Sequence, residues 1–392
     1  MRHDVAIYAP YAASYYNRGG KLGGGAERQT YMLAQALSEA GARVAHIVFS
    51  VPDPLPVNPN LTLVDRGYWM SALPAGKLLE TRQIWRGLMA ADASVYIVRT
   101  GSPVLGIVAA FCRLRRRRLI FASSTDADLT LEGPKERAGR AGRQATRARL
   151  PRRALRRGRR ELEAAMYRGG LRHVDAVVVQ TGQQLRLVQE GFPHVTRAIH
   201  IPSFAEPMSP AERPGRVFLW IGRINDYKRP LEYVELARAL PDVRFRMVVT
   251  PERDWLDLYA ELLRRVEELP NLEVLDPRPH HELMKLVAEA VAIVSTSRLE
   301  GMPNIFLEGW AAGVPALTLD FDPDDTIAKR GIGACAGGSW ERFIDEARRL
   351  WEVRDGDQEL AGASRAYIDE VHSIPAVERR WAALIAEVAG SS

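Results

Sequence analysis

Short apolar runs alternate with helical stretches along the whole chain, and that alternation limits the fold more than any single motif. Residues 5–9, 43–49, 95–99, 119–122, 176–180 and 198–201 read as strands in the first half. Residues 217–221, 244–249, 272–275, 291–295 and 315–319 repeat the pattern in the second. The runs are short and apolar, and most gaps between them show helical periodicity, so the strands suit parallel sheets covered by helices on each side. The expected class is α/β. Between the halves lies a stretch holding Pro202, Pro207, Pro210 and Pro214, the composition of an interdomain linker. The expected division is a first domain over 1–205, a linker over 206–215 and a second domain over 216–373. A chain of 392 residues with 46% hydrophobic side chains can bury two such cores.

The sequence around residue 300 carries the most chemistry. After the strand-like run 291–296 comes Arg298-Leu299-Glu300-Gly301-Met302-Pro303-Asn304-Ile305-Phe306-Leu307-Glu308, which sets two carboxylates eight positions apart. Pro303 and Asn304 suit the start of a helix, where backbone N–H groups and the positive end of the dipole favour an anion such as a diphosphate. At about 1.5 Å per residue, Glu308 lies roughly 7 Å into that helix while Glu300 stays in the loop. One carboxylate can accept hydrogen bonds from a ribose and the other from a second hydroxyl-bearing ring. A solvated helix is the weaker account, because Gly309-Trp310-Ala311-Ala312-Gly313-Val314-Pro315 is too apolar to face water.

Two further motifs join it. Gly23-Gly24-Gly25-Ala26-Glu27-Arg28 follows the first strand and opens a helical run through Leu37. Glycines let backbone approach a ligand closely, and a helix start supplies donors for an anion. The run Phe218-Leu219-Trp220-Ile221-Gly222-Arg223-Ile224-Asn225-Asp226-Tyr227-Lys228-Arg229-Pro230 opens the second domain. Arg223 and Lys228 fall just past a strand, where fixed cations can stabilise charge developing on a diphosphate leaving group.

Together these motifs resemble the retaining glycosyltransferases of the GT-B fold, family 4 in particular, through nearly the whole chain in motif order and most specifically over 216–320. The resemblance implies two Rossmann-like doubly wound domains facing across a cleft. The first would serve the acceptor and the second the nucleotide sugar, with a C-terminal helix, about 374–392, crossing back onto the first domain. It implies Arg223 and Lys228 on the diphosphate, Glu308 on the ribose and Glu300 on the donor sugar. Backbone of Met302, Pro303, Asn304 and Ile305 would meet sugar and phosphate, and Gly24 and Gly25 would line the opposite wall. The implied donor is UDP- or GDP-linked, its base read near residues 276–281, and no separate cofactor is expected. A saccharide or a lipid-linked acceptor is implied, in bacterial cell-surface polysaccharide or glycolipid synthesis. Retention in this family is thought to need no protein nucleophile.

One departure stands out. Many members carry a His after the fourth strand of the first domain, where this chain reads Phe121-Ala122-Ser123-Ser124-Thr125-Asp126-Ala127-Asp128. Either aspartate could take that place, and Asp126 is the catalytic candidate. Asp-x-Asp also spells the metal motif of a different glycosyltransferase fold, but Arg223 and Lys228 already provide cationic charge, so no metal is expected. His280-His281-Glu282 reads as a helix start and Asp322-Pro323-Asp324-Asp325 as an acidic turn.

Charge divides the chain. The first 200 residues hold 31 Lys and Arg against 15 Asp and Glu, while the remainder holds 23 against 33. The excess concentrates at Arg113 to Arg118 and in residues 135–160, where 12 of 26 are basic. Within it Arg140, Arg143, Arg147, Arg149, Arg152, Arg153, Arg156, Arg157 and Arg160 recur at helical spacing, with Leu150, Leu155, Leu162 and Met166 for an apolar side. Such a helix suits an anionic membrane surface or a phosphorylated acceptor. Nucleic acid is not expected, since aromatics do not interleave with the arginines. Cys112 and Cys335 are far apart and imply neither disulfide nor zinc. The N-terminal run lacks a signal-peptide layout, and the longest uncharged apolar stretch, 100–112, is 13 residues, too short to span a bilayer. The expected location is the cytoplasm, at most peripheral to the inner face of the plasma membrane. Two other classes stay open: a sugar-nucleotide 2-epimerase of the same fold, consuming donor without acceptor, and a non-catalytic polyanion-binding protein using the arginine segment alone.

Overall fold

The computed structural model describes residues 3–16, 24–49, 58–67, 74–99, 101–129, 150–209, 215–298, 300–354 and 358–390. The chain divides into two compact units, Met1–Phe204 with Ile374–Ser392, and Ala205–Ser373.

The first unit is built on seven strands: β1 (His3–Tyr8), β2 (Val44–Val48), β3 (Leu61–Asp65), β4 (Ala93–Arg99), β5 (Arg118–Ala122), β6 (Ala176–Val179) and β7 (Ala198–His200). They form one sheet in the order β3-β2-β1-β4-β5-β6-β7, parallel at every pairing. The helices that connect them include α1 (Gly25–Glu39), α2 (Pro74–Ala91), α3 (Val104–Arg115), α4 (Leu150–Leu171) and α5 (Gly182–Gly191). Alternate residues along β1 go to opposite cores. Ala6 and Tyr8 join Ile47, Tyr96, Phe111 and Phe121, whereas Val5 and Ile7 join Met32, Leu33 and Ile97 on the other face. The C-terminal helix α12 (Ile374–Gly390) belongs to that second face, burying Val377, Trp381, Leu384 and Val388 there.

α3 and α4 cross closely because each offers a glycine. A Cβ on Gly106 would lie 2.5 Å from the Met166 carbonyl oxygen, and one on Gly170 would lie 2.7 Å from the Leu105 carbonyl carbon. The face α4 buries is Ala164, Tyr167 and Leu171, whereas Leu162 is 62% exposed. Of the expected apolar side, Leu162 therefore faces solvent. Arg140, Arg143, Arg147 and Arg149 lie outside the described residues, and α4 begins directly after them.

The second unit holds β8 (Val217–Arg223), β9 (Phe245–Thr250), β10 (Leu272–Leu275), β11 (Ala290–Ser295), β12 (Ala316–Thr318) and β13 (Gly333–Cys335) in the order β10-β9-β8-β11-β12-β13, again all parallel. Its main helices are α6 (Pro230–Ala239), α7 (Leu256–Val266), α8 (His280–Ala288), α9 (Asn304–Ala311), α10 (Trp340–Val353) and α11 (Gln358–Tyr367). Every strand expected from the sequence is present within two residues of its expected ends. β3 and β13, at the outer edges, were not expected.

Each sheet reverses its strand order once, at β1/β4 and at β8/β11. In open α/β sheets, ligands bind outside the carboxyl ends of the strands at such a reversal. Arg223 ends β8, the loops leaving β8 and β11 carry Lys228 and Glu300, and the helix after β11 carries Glu308.

Candidate active site

The loops at the β8/β11 reversal are tied to each other through the backbone. Thr296 Oγ1 donates to the Lys228 carbonyl at 2.7 Å, and Trp220 Nε1 donates to the same hydroxyl oxygen at 3.2 Å. The Arg298 N–H donates to the Tyr227 carbonyl at 3.0 Å, and Arg229 Nε to the Thr296 carbonyl at 2.7 Å. Asn225 Oδ1 accepts from the Lys228 N–H at 3.1 Å. Lys228 is therefore held by its own backbone, on a turn that needs a left-handed Arg229, φ 45°.

The Lys228 ammonium donates to Glu300 Oε1, which also accepts from Ser297 Oγ at 2.9 Å. Both ionic side chains are largely buried, 21% and 15% exposed. Burial is the largest single influence and works against the Lys228 charge, but the Glu300 carboxylate and Tyr227 together outweigh it and raise the amine above its ordinary pKa. The amine is thus charged at neutral pH. Arg223, at the end of β8, is 58% exposed and meets Glu252 at 3.4 Å, a pair loose enough to be exchanged for a ligand anion.

α9 starts where the sequence placed it, with Pro303 at its N-cap and Asn304 first in the helix. Pro303 accepts from the N–H groups of Phe306 and Leu307 at 3.0 and 3.4 Å. The helix is nearly sunk in the unit: Phe306, Leu307, Gly309, Trp310 and Ala311 are buried, as expected from an apolar run. Gly313, φ +80°, ends it in the left-handed conformation that spares a Cβ. Met302 is 7% exposed. Glu308 is 8% exposed, and its Oε1 meets His280 Nε2 at 3.1 Å. His280 is the helix start expected, the first residue of α8. Its contact with a carboxylate 28 residues later leaves no local signal. Thr296 likewise meets Lys228 across 68 residues, whereas the partner of Ser297 is Glu300, three residues on in the same segment.

In the first unit, Gly24 is the N-cap of α1, with φ −80° and ψ 177°, and Gly25 is its first residue. The Gly24 carbonyl accepts from Tyr15 Oη at 3.2 Å. Gly23 lies outside the described residues. The two aspartates after β5 separate in role. Asp128 is fully buried, its Oδ2 accepting from the Ser124 N–H and Oγ, each at 2.7 Å, and from the Thr125 N–H at 3.1 Å, while Oδ1 accepts from the Gly101 N–H at 3.1 Å. Asp128 closes the loop. Asp126 is half-buried and accepts from Gln184 Nε2 at 3.0 Å, which leaves it the more accessible of the two. Among the described residues no group of three His, Cys, Asp or Glu side chains is arranged to hold a metal ion. None of their helices is long and apolar enough to cross a membrane. Asp322 accepts from the Ile327 and Ala328 N–H groups at 2.8 and 2.9 Å, the acidic turn expected.

Comparison with known proteins fits this geometry. The family described as Glycosyltransferase Family 4 matches residues 23–203, and the one described as Glycosyl transferases group 1 matches residues 215–352. Sucrose-phosphate synthase from Thermosynechococcus elongatus is similar with a TM-score of 0.75 at 15% identity, covering 100% of both chains. HepE of Anabaena, solved in complex with UDP-glucose, has a TM-score of 0.66 at 13% identity, covering 98% of this chain and 100% of that one. Glycosyltransferase 1 domain-containing protein 1 of Xenopus tropicalis is 22% identical over 113 residues, 29% of this chain. That match spans only 33% of the relative's own length.

Fold and family matches define the class: this is an enzyme, a glycosyltransferase with the GT-B fold. Within that class the chain is of the family 4 type.

Proposed function

We propose that this glycosyltransferase moves a sugar from a nucleotide-sugar donor, UDP- or GDP-linked, to an acceptor hydroxyl with retention of anomeric configuration. The observation that carries the reading is the pair of partly buried carboxylates at the β8/β11 reversal, one on Lys228 and the other on His280. Lys228 and Arg223 would take the diphosphate, Glu308 the ribose, and Glu300 with the Met302, Pro303, Asn304 and Ile305 backbone the sugar and phosphate. HepE, with UDP-glucose bound, supports a nucleotide-sugar donor. For Gly24, Gly25 and Asp126 the support is the resemblance of their motifs. With no protein nucleophile assigned, the leaving phosphate itself would take the proton of the incoming hydroxyl, and the protein's work is positioning and charge stabilisation.

A thermal-shift panel of UDP- and GDP-sugars tests it. A ligand at 100 times its dissociation constant stabilises the protein by about 2.7 kcal/mol, so the correct donor should raise Tm clearly. A panel that leaves Tm unmoved would sink the reading, and donor consumption without any acceptor would redirect it to an epimerase. Turnover is expected to survive EDTA, because the cationic charge comes from Lys228 and Arg223. Loss with EDTA and recovery with manganese would transfer the chemistry to a metal.

The finer setting we propose is synthesis of a cell-surface polysaccharide or glycolipid at the cytoplasmic face of a membrane. Its support is the basic segment continuing into α4, with Leu162 exposed beside it. Each basic residue near an anionic leaflet is worth about 1 kcal/mol. Cosedimentation with liposomes should therefore rise with anionic lipid and fall with salt. Replacing Arg152, Arg153, Arg156 and Arg157 by Gln should remove most of it and leave donor binding alone. Wild-type protein that ignores anionic liposomes at low salt would refute this setting.

A further inference from the structure

The first unit buries a cation that the proposed donor site does not use. Arg66 directly follows β3 and is 5% exposed. Its guanidinium lies 4.5 Å from the Phe49 ring centre and 5.7 Å from that of Tyr8. Phe49 follows β2 and Tyr8 ends β1, so the side chain runs along the carboxyl ends of the strands toward the β1/β4 reversal. Among the described residues its ion-pair partner is Glu80 of α2, whose carboxylate oxygen is 3.8 Å from Nη2, beyond hydrogen-bond distance. Among the described residues, Nε and Nη1 of Arg66 are buried with no hydrogen-bond partner. Gln83, one turn further along α2, has a buried Oε1 in the same condition. Its amide sits beside Gly67, where a Cβ would lie 3.3 Å from Nε2.

Buried donors without hydrogen-bond partners are costly even where, as here, a carboxylate at 3.8 Å offsets the charge. Two nitrogens of Arg66, with three N–H groups between them, and one acceptor on Gln83 are left open. A guanidinium fork is shaped for the oxygens of a phosphate or carboxylate, and a carboxamide oxygen accepts from a hydroxyl. The ring of Phe49 over the fork keeps water from it, and Tyr11, 52% exposed, packs edge-on against Phe49 at 4.8 Å and forms the solvent side.

We propose that Arg66 and Gln83 form an acceptor subsite for an acidic sugar, Arg66 binding its oxyanion and Gln83 one of its hydroxyls. The acceptor of this glycosyltransferase would then be an anionic saccharide, either phosphorylated or bearing a carboxylate. The assignment rests on the reading of the first unit as the acceptor side.

The test is calorimetric titration of the whole protein with glucose 6-phosphate, glucuronate and glucose, in saturating UDP so that the diphosphate site is filled. Wild type should bind one or both acidic sugars at least tenfold more tightly than glucose. The phosphate and carboxylate arms tell which oxyanion is meant. Arg66→Gln should erase the preference, a loss of roughly ten- to a hundredfold for a charge-assisted pair, and leave UDP affinity unchanged. Gln83→Leu should weaken all three sugars together. If Arg66→Gln does not fold, Arg66→Lys carries the test, keeping charge but losing most of the preference with the fork. No preference in wild type, or a preference that survives in these Arg66 variants, overturns the proposal. UDP binding without an acidic-sugar preference would fail this subsite and spare the proposed function. An Arg66-dependent preference in a protein that binds neither UDP nor GDP would do the reverse.

Discussion

Lys228→Ala is expected to lower turnover by about 100- to 1000-fold, the usual loss when one preorganised charge donor is removed from a developing anion. The structural reason is how little Lys228 has to reorganise. Its carbonyl and N–H are fixed by Thr296 and Asn225 at 2.7 and 3.1 Å, and its ammonium already rests on Glu300. When the sugar leaves, charge gathers on the diphosphate, and a cation fixed in advance stabilises that state more than the ground state. The loss should therefore appear in kcat and kcat/KM together, measured with the donor the thermal-shift panel selects. The backbone bonds that shape the loop do not involve the side chain, so the fold should persist. Glu300 would keep Ser297 as a partner, at 2.9 Å. Arg223→Ala should act in the same direction and less strongly, since Arg223 is 58% exposed with only a 3.4 Å ion pair to hold it. Near-normal kcat in Lys228→Ala, with Tm unchanged, would mean the diphosphate is bound elsewhere.

The parts of the structure that were legible in the sequence are those specified locally. β11 is six buried residues of Ala, Val, Ile and Ser, and a continuous apolar run of that length announces a covered strand. Pro303 announces the start of α9 because a helix tolerates proline at its beginning. β3 is not legible in this way because it is an edge strand with two exposed positions, Thr62 and Asp65, so it lacks the apolar run. β13 is three residues opening on a glycine, too short to carry a period. The site shows the same division. The E-x7-E spacing and the Arg223 and Lys228 pair lie within single segments and could be read there. The partner of Glu308 is His280, that of Gly101 is Asp128, and the rings around Arg66 come from β1 and β2. Such contacts depend on which strands are neighbours, and strand order is a property of the folded sheet. Asp128 is the instructive case: its spelling suggested chemistry, and its four accepted hydrogen bonds show a loop closure.

Trp310→Ala is expected to cost the second unit about 3–5 kcal/mol, the range for deleting a large aromatic side chain from a core. Trp310 is fully buried. Its ring centre is 5.5 Å from Phe306 and 5.6 Å from Tyr367, the latter edge-on. Its Nε1 donates to the Ile332 carbonyl at 3.0 Å, so truncation leaves a cavity and also removes the donor from a buried carbonyl. Trp310→Phe keeps much of the volume and loses the donor, and should cost only about 1–3 kcal/mol. Urea denaturation separates these outcomes, provided fluorescence and circular dichroism are compared, because two units need not unfold together. The effect should reach the chemistry as well. Trp310 and Glu308 share α9, an eight-residue helix too short to be stable alone and dependent on its packing. As the alanine variant loosens α9, donor affinity should fall in step with the second unit's stability, and a saturating nucleotide sugar should restore part of both. A loss below about 1 kcal/mol in Trp310→Ala would mean that the core around α9 collapses onto the vacancy, and that the placement of Glu308 does not depend on this side chain.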